Sequence, residues 1–187
     1  LKNPTLELFN VMSFETTKKN IFKLLEENEE VRHNFWIQIQ YNLHLYPPAL
    51  NENKFIYGKI GEHIIINSFK QFFTTEDLDS NHSNGAEYLN DCSINENKFS
   101  IKMVKNKNGE LIICNKNSKH ENHLDDIKNI NFIVCNIERR RLYIFKHTPE
   151  LDKFINNTNS GVKYRSSIFT FLNKNKENYF EFVETTK

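Results

Sequence analysis

Apolar residues in the first third of the chain recur every three or four positions, which predicts amphipathic helices. Ser13 is placed to cap the first helix, and a proline pair at 47–48 ends the second, predicted over 31–46. A third helix is predicted over 53–73. It contains Gly58 and Gly61, each of which costs about 1 kcal/mol of helix stability relative to alanine. These glycines therefore predict close packing of the helix against another backbone.

The period of the pattern changes after a polar segment at 74–85, which we expect to be an exposed loop. Short alternating runs then predict strands over 87–94, 98–106, 111–115, 131–137 and 141–145, with helices over 118–128 and 149–155. The apolar runs 168–172 and 179–183 are interpreted as further strands. The order predicts a mixed α/β (α+β) fold with a central mixed sheet flanked by helices.

We expect one domain, with an N-terminal helical subregion at 1–50, a core at 53–147 and a C-terminal helix and strands at 148–187. Among the 187 residues, 38% are hydrophobic and 13% aromatic, which is enough to bury a core. The formal net charge of +1 excludes a protein that grips nucleic acid by bulk positive charge.

Composition also excludes several common kinds of site. Three widely spaced cysteines argue against a zinc knuckle or disulfide framework and favour reduced thiols in the cytoplasm. Only five glycines occur, and neither a dinucleotide-binding nor a P-loop motif is present. Since there is no 18-residue apolar run and no signal-peptide pattern, we expect neither a membrane span nor secretion.

The segment 98–104 carries the candidate chemistry, because alternation along a strand places Ser100 and Lys102 on the same face. A lysine among apolar residues on a central strand requires a counter-charge or a substrate. Glu87 begins the preceding strand, Asp91 follows on the same face, and Glu62 lies on the helix before them. The sequence therefore predicts carboxylates around the Lys102 ammonium.

This order of residues resembles the PD-(D/E)xK nuclease superfamily, which includes type II restriction endonucleases. In that family a helix carries a glutamate, matched by Glu62, and a strand acid follows a proline, matched by Ala86-Glu87 or less closely by Asp91. Ser100-Ile101-Lys102 matches the (D/E)xK strand with serine in place of the second acid. The likeness covers roughly residues 55–145 and implies a restriction-endonuclease-like sheet.

The resemblance implies a Mg²⁺-dependent endonuclease of the type II restriction kind, which hydrolyses double-stranded DNA and acts as a homodimer. It assigns Glu87, Asp91 and Glu62 to the metal, Lys102 to the attacking water or developing charge, and Ser100 to hydrogen bonding. In Ser-x-Lys members a neighbouring helix supplies the missing carboxylate, for which Glu62, Glu121 and Asp125 are candidates. Lys116 is an alternative catalytic lysine, and Phe35 and Trp36 are expected in dimer or accessory contacts.

Two other functions remain open. A nuclease-fold protein that binds DNA without cutting it is favoured by Ser100, and an interaction module unrelated to nucleic acid would use its basic runs only for solubility. Residues 98–119 carry six lysines against one glutamate, and 139–141 are all arginine, which favours phosphate contacts. The predicted DNA contacts are Lys105, Lys107, Lys116, Lys119, Arg139, Arg140, Arg141, Lys163 and Arg165.

Overall fold

A computed structural model describes residues 12–48, 51–78, 89–115, 125 and 127–183. The chain adopts a mixed α/β fold with an N-terminal helical segment, so the predicted fold class is confirmed. Glu87, Lys116, Lys119 and Glu121 lie outside the described residues, as does most of the helix predicted over 118–128.

Three helices form the N-terminal segment: α1 (Phe14–Glu27), α2 (Glu29–Leu45) and α3 (Asn51–Phe69). The Ser13 hydroxyl accepts the Thr16 N–H at 3.2 Å and caps α1 as predicted. Asn28 ends α1 and caps α2, where its side-chain oxygen accepts the Val31 N–H at 3.1 Å. α3 ends at Phe69 rather than at the predicted position 73.

Nine strands lie within the described residues and form two sheets. They are β1 (Thr75–Asp77), β2 (Cys92–Ile94), β3 (Asn97–Val104), β4 (Leu111–Asn115), β5 (Asn131–Asn136), β6 (Arg141–Lys146), β7 (Ile155–Thr158), β8 (Gly161–Tyr164) and β9 (Tyr179–Glu181). The larger sheet has the order β1-β2-β3-β5-β6-β9. In this sheet β3 and β5 run parallel, and every other pair of neighbouring strands is antiparallel. The smaller sheet, β4-β8-β7, is antiparallel.

Several predicted elements differ from the structure. β1 falls inside the predicted loop, because three polar residues are held as an edge strand by pairing with β2. β2 begins at Cys92, so the described residues 89–91, which belong to the strand predicted over 87–94, lie outside the strand. The segment predicted as a strand at 168–172 belongs to helix α4 (Ser167–Leu172), whose Ile168, Phe169 and Leu172 are buried on one side.

The hairpin of β7 and β8 occupies a stretch that the sequence indicated only as polar. Val162 and Tyr164 point inward from it and are 1% and 0% exposed, so two alternating side chains anchor an otherwise asparagine-rich hairpin. Pro149–Phe154, predicted as a helix, forms a 3₁₀ helix.

Apolar side chains of β5 show how the larger sheet separates two cores. Ile133 and Cys135 pack with α1, α2 and α3, whereas Phe132 and Val134 pack with the smaller sheet and α4. Continuous burial on both faces explains why β5 has an almost uninterrupted apolar sequence.

Trp36 and Phe35 belong to the helical core and are 8% and 0% exposed. The expectation of dimer or accessory contacts is therefore wrong for Phe35, which is fully buried, and stays a prediction for Trp36, which lines a surface cavity. All three cysteines are buried, and none forms a disulfide with another described cysteine. No helix in the described part of the chain is both long and apolar enough to cross a bilayer.

Candidate active site at the edge of β3

The pairing of β2 with β3 ends early, and this opens an edge in the middle of the sheet. β2 pairs with β3 only as far as Phe99, while β5 pairs with β3 from Phe99 to Val104 on the other side. Within the described residues, the last five positions of β3 therefore lack a strand partner on one edge. Beside this edge lies a cleft of about 340 Å³, lined by residues of α3, β3 and β4.

Asp91 occupies the point where the two strands separate. Its backbone N–H donates to the Phe99 carbonyl at 2.8 Å, and its Oδ2 accepts the Ile101 N–H at 2.6 Å. The same oxygen accepts a longer hydrogen bond, 3.4 Å, from the Ser100 hydroxyl. The carboxylate thus satisfies a strand N–H that β2 does not reach, and it is held rigidly with the residue only 8% exposed.

Ser100 is fully buried, so its contribution is to orient Asp91 rather than to reach a ligand from solvent. The sequence predicted a hydrogen bond from this serine to a water or phosphate oxygen; in the structure the partner is the Asp91 carboxylate instead.

Glu62 enters the same region from α3, with its side chain only 14% exposed. Burial and the nearby Asp91 carboxylate raise the pKa of Glu62 above its ordinary value. Lys59, whose ammonium lies 2.9 Å from Glu62 Oε2, and Lys102 act in the opposite direction and lower this pKa. Glu62, Asp91 and Lys102 therefore share one electrostatic environment, although they come from three separate segments.

Lys102 is partly buried on an internal strand and lines the cleft together with Glu62. Among the described residues it forms no ion pair within 4.0 Å. Its charge acts on Glu62, which lines the same cleft, without an ion pair between the two. Such a group is available to a phosphate or a water molecule in the cleft.

The two glycines of α3 behave differently. A Cβ at Gly61 would lie 2.6 Å from Met103 Cγ, so this glycine lets α3 approach β3 closely, against a side chain rather than the predicted backbone. A Cβ at Gly58 would meet nothing within 4 Å, and Gly58 lines the cleft. The prediction of close packing is therefore wrong for Gly58.

The two described carboxylates suit a hard divalent cation. Mg²⁺ keeps several waters and takes one or two protein carboxylates, and the mutual repulsion of Glu62 and Asp91 is what a cation would relieve. Within the described residues no group of three His, Cys, Asp or Glu side chains could hold a metal ion. Of the predicted ligands, Glu62 and Asp91 are thus brought together, whereas Glu87 lies outside the described residues.

Asp125 was a candidate for the missing carboxylate. It lies on the surface, where its Oδ1 accepts from Lys128 Nζ at 2.9 Å. Among the candidates that the structure describes, Glu62 is the one that reaches the Asp91 region.

Three of the predicted phosphate-binding residues meet at the carboxyl end of β3. The turn after β5 packs beside this end, where the N–H groups of Ile137 and Glu138 donate to the carbonyls of Val104 and Lys105. Arg139 Nε donates to the Lys107 carbonyl at 2.9 Å. We call Lys105, Lys107 and Arg139 the basic edge.

The remaining predicted DNA contacts make contacts within the protein or lie elsewhere. Arg140 donates to the Phe182 carbonyl and lies over the Trp36 ring. Arg141 pairs with Glu181 at 3.2 Å, and Lys163 pairs with Glu110. Arg165 is exposed after β8.

Sequence reasoning missed the walls of the cleft. Lys54, Phe55 and Tyr57 line it from α3, and Ile112 lines it from β4. Lys54, Phe55, Gly58 and Glu62 lie on neighbouring turns of one helix, and this spacing could have pointed to the helical wall of the cleft.

Comparisons with protein-family models, curated proteins and solved structures found no match to this chain.

Proposed function

We propose that the chain is a Mg²⁺-dependent endonuclease that hydrolyses DNA phosphodiester bonds. The observation that carries the proposal is that Glu62 lies within electrostatic range of both the Asp91 carboxylate and the Lys102 ammonium, at the edge of β3 that has no strand partner among the described residues. Support also comes from the chain order of these groups, namely a helix acid, then an acid before a short strand, then a strand lysine. The resemblance to the PD-(D/E)xK superfamily rests on this same order.

Each residue has a role that follows from its position. Asp91, held by the Ile101 N–H and the Ser100 hydroxyl, presents a fixed carboxylate, and Glu62 presents a second one from α3. A Mg²⁺ ion bound by these oxygens would neutralise charge on the scissile phosphate and lower the pKa of an attacking water. Lys102 would orient that water or stabilise negative charge that develops on the phosphate oxygens.

The finer aspects of the proposal concern the biological setting. We propose a type II restriction enzyme that works in the cytoplasm as a homodimer, since two symmetric active sites suit cleavage of both strands at a two-fold site. The basic edge would position the phosphate backbone next to the cleft.

Incubation of supercoiled plasmid with the protein tests the proposal. We expect nicking or linearisation in Mg²⁺ and none in EDTA. Lys102→Ala should abolish cutting while circular dichroism stays unchanged and the unfolding midpoint shifts little. The side chain makes no ion pair with the described residues and only lowers the pKa of Glu62 from a distance. Lys98→Ala, on the same face of β3 but outside the cleft lining, is the matched control and should cut normally.

Near-normal cutting by Lys102→Ala would remove this lysine from the mechanism. The second candidate function, a nuclease-fold protein that binds DNA without cutting, is favoured by Ser100 at the position of the second acid. It predicts salt-sensitive gel shifts in Ca²⁺ and no cleavage in Mg²⁺. Absence of both cleavage and gel shifts would contradict both functions.

A further inference from the structure

Two exposed apolar side chains line the same cleft as the proposed catalytic groups. Phe55 projects from α3 with 74% of its surface exposed, and Ile112 projects from β4 with 57% exposed. Single exposed apolar residues are common on protein surfaces. Two on separate walls of a cleft form an apolar slot, which indicates a flat or apolar group as the ligand.

Lysines surround this slot on the side of the protein that continues toward the basic edge. Lys54 and Lys102 line the cleft, and a further cavity of about 490 Å³ shares Lys54, Tyr57 and Ile112 with it and reaches Lys105. The two cavities therefore form one groove. Its carboxylates, Glu62 and Glu110, are paired with Lys59 and Lys163, while Lys54, Lys102 and Lys105 add ammonium groups along it. A ligand that combines apolar rings with repeated negative charges matches this arrangement.

Space for a ring is present beside Phe55. Gly58 lies one helical turn further along α3, and a Cβ there would meet no atom within 4 Å. The slot is thus open at the level where a planar group would stack on the Phe55 ring.

We propose that the slot holds an unpaired nucleobase, supplied either by a single strand or by a base extruded from the duplex that the type II setting implies. In a duplex the faces of the bases are covered by their neighbours, and a side chain on the wall of a cleft cannot stack on them. An aromatic ring flanked by lysines is the arrangement by which proteins bind single strands, with the ring on a base and the lysines on phosphates. This inference rests on the proposed function of the same site and names its substrate class.

Fluorescence anisotropy in Ca²⁺ with the full chain tests the inference. The probes are a labelled oligothymidylate of about 12 nucleotides, an abasic strand of the same length, and a blunt duplex of that length. We expect the oligothymidylate to bind more tightly than the abasic strand, and equal binding of the abasic strand overturns the inference. Weaker binding of the duplex indicates a single strand as the source of the base, whereas tighter binding of the duplex indicates a base extruded from it.

Variants of Phe55 separate stacking on an aromatic ring from non-specific apolar contact. Phe55→Ala should weaken binding of the oligothymidylate by roughly 5- to 150-fold, the range that corresponds to about 1–3 kcal/mol for one stacked base. Phe55→Trp should restore binding, whereas Phe55→Leu, which keeps apolar surface without a ring, should not. Phe72→Ala removes another exposed phenylalanine that does not line the cleft, and it should bind normally.

The failure of this inference can be told apart from failure of the proposed function. Unchanged oligothymidylate binding by Phe55→Ala, together with Lys102-dependent plasmid cutting, overturns the base slot and leaves the nuclease proposal intact. Phe55-dependent binding without cleavage by the wild-type chain supports the slot and favours the non-cutting function.

Discussion

At the scale of single residues, the ionised form of Glu62 is unfavourable in the folded state. Its pKa is raised because burial and the Asp91 carboxylate outweigh the favourable charges of Lys59 and Lys102. The native state therefore binds a proton at a pH where the unfolded chain has released it. The free energy of unfolding must fall as pH rises from the ordinary range of a glutamate through the raised native pKa.

Replacement of Glu62 tests this linkage. Glu62→Gln should be more stable than wild type at about pH 7, and the difference should vanish at about pH 3, below the ordinary pKa of glutamate, where the wild-type carboxyl is protonated in both states. Chemical denaturation at both pH values measures it. Glu76→Gln, an exposed carboxylate on β1, is the control and should change stability little at either pH. Equal effects of Glu62→Gln at both pH values would contradict the electrostatic account.

The same residue tests the proposed metal. Saturating Mg²⁺ should raise the melting temperature of the wild type, because a ligand that binds only the native state stabilises it. Asp91→Asn and Glu62→Gln should each reduce this shift, while Glu76→Gln should keep it. A shift that is the same in all four proteins would place the ion elsewhere.

Helix α3 matters at the scale of elements, because it delivers Glu62 to the cleft and packs on β3. Gly58→Ala should raise the free energy of unfolding by about 1 kcal/mol, since alanine favours the helix and its Cβ meets no atom. Gly61→Ala should be less stable than Gly58→Ala, because its Cβ would overlap Met103 and an overpacked contact costs about 1–3 kcal/mol. Urea denaturation of both variants measures the contrast, and equal stabilities would show that α3 is not seated on Met103.

At the scale of the whole molecule, the net charge is only +1, so attraction to DNA depends on where the basic residues lie. If DNA lies along the basic edge, its affinity should fall steeply between about 50 and 200 mM salt. Lys105→Ala combined with Lys107→Ala should reduce the slope of log K against log salt by about 2, one for each lost phosphate contact. Lys19→Ala combined with Lys23→Ala on α1 keeps the same loss of charge away from this edge. An equal loss of slope in both pairs would contradict a localised contact.

Local patterns along the chain determined most of the elements. The Ser13 cap, the helices α1 and α2, and the strand Leu111–Asn115 follow from periodicity and capping, which act between residues a few positions apart. Alternation along β3 likewise placed Ser100 and Lys102 on one face. Sequence patterns did not identify α4 or the β7–β8 hairpin, because a six-residue helix and an asparagine-rich stretch are too short or too polar to show a clear period.

Only the tertiary structure decided how these elements meet. Because β2 stops pairing with β3 early, the Asp91 carboxylate accepts the Ile101 N–H. Because Gly61 lets α3 pack closely against Met103, Glu62 lies near that carboxylate. Sequence patterns report which face of a segment is buried, but they do not report where two strands separate or which wall faces a cleft. Those features arise from contacts between residues far apart in the chain, and for that reason Phe55 and Ile112 became visible as one slot only in the folded molecule.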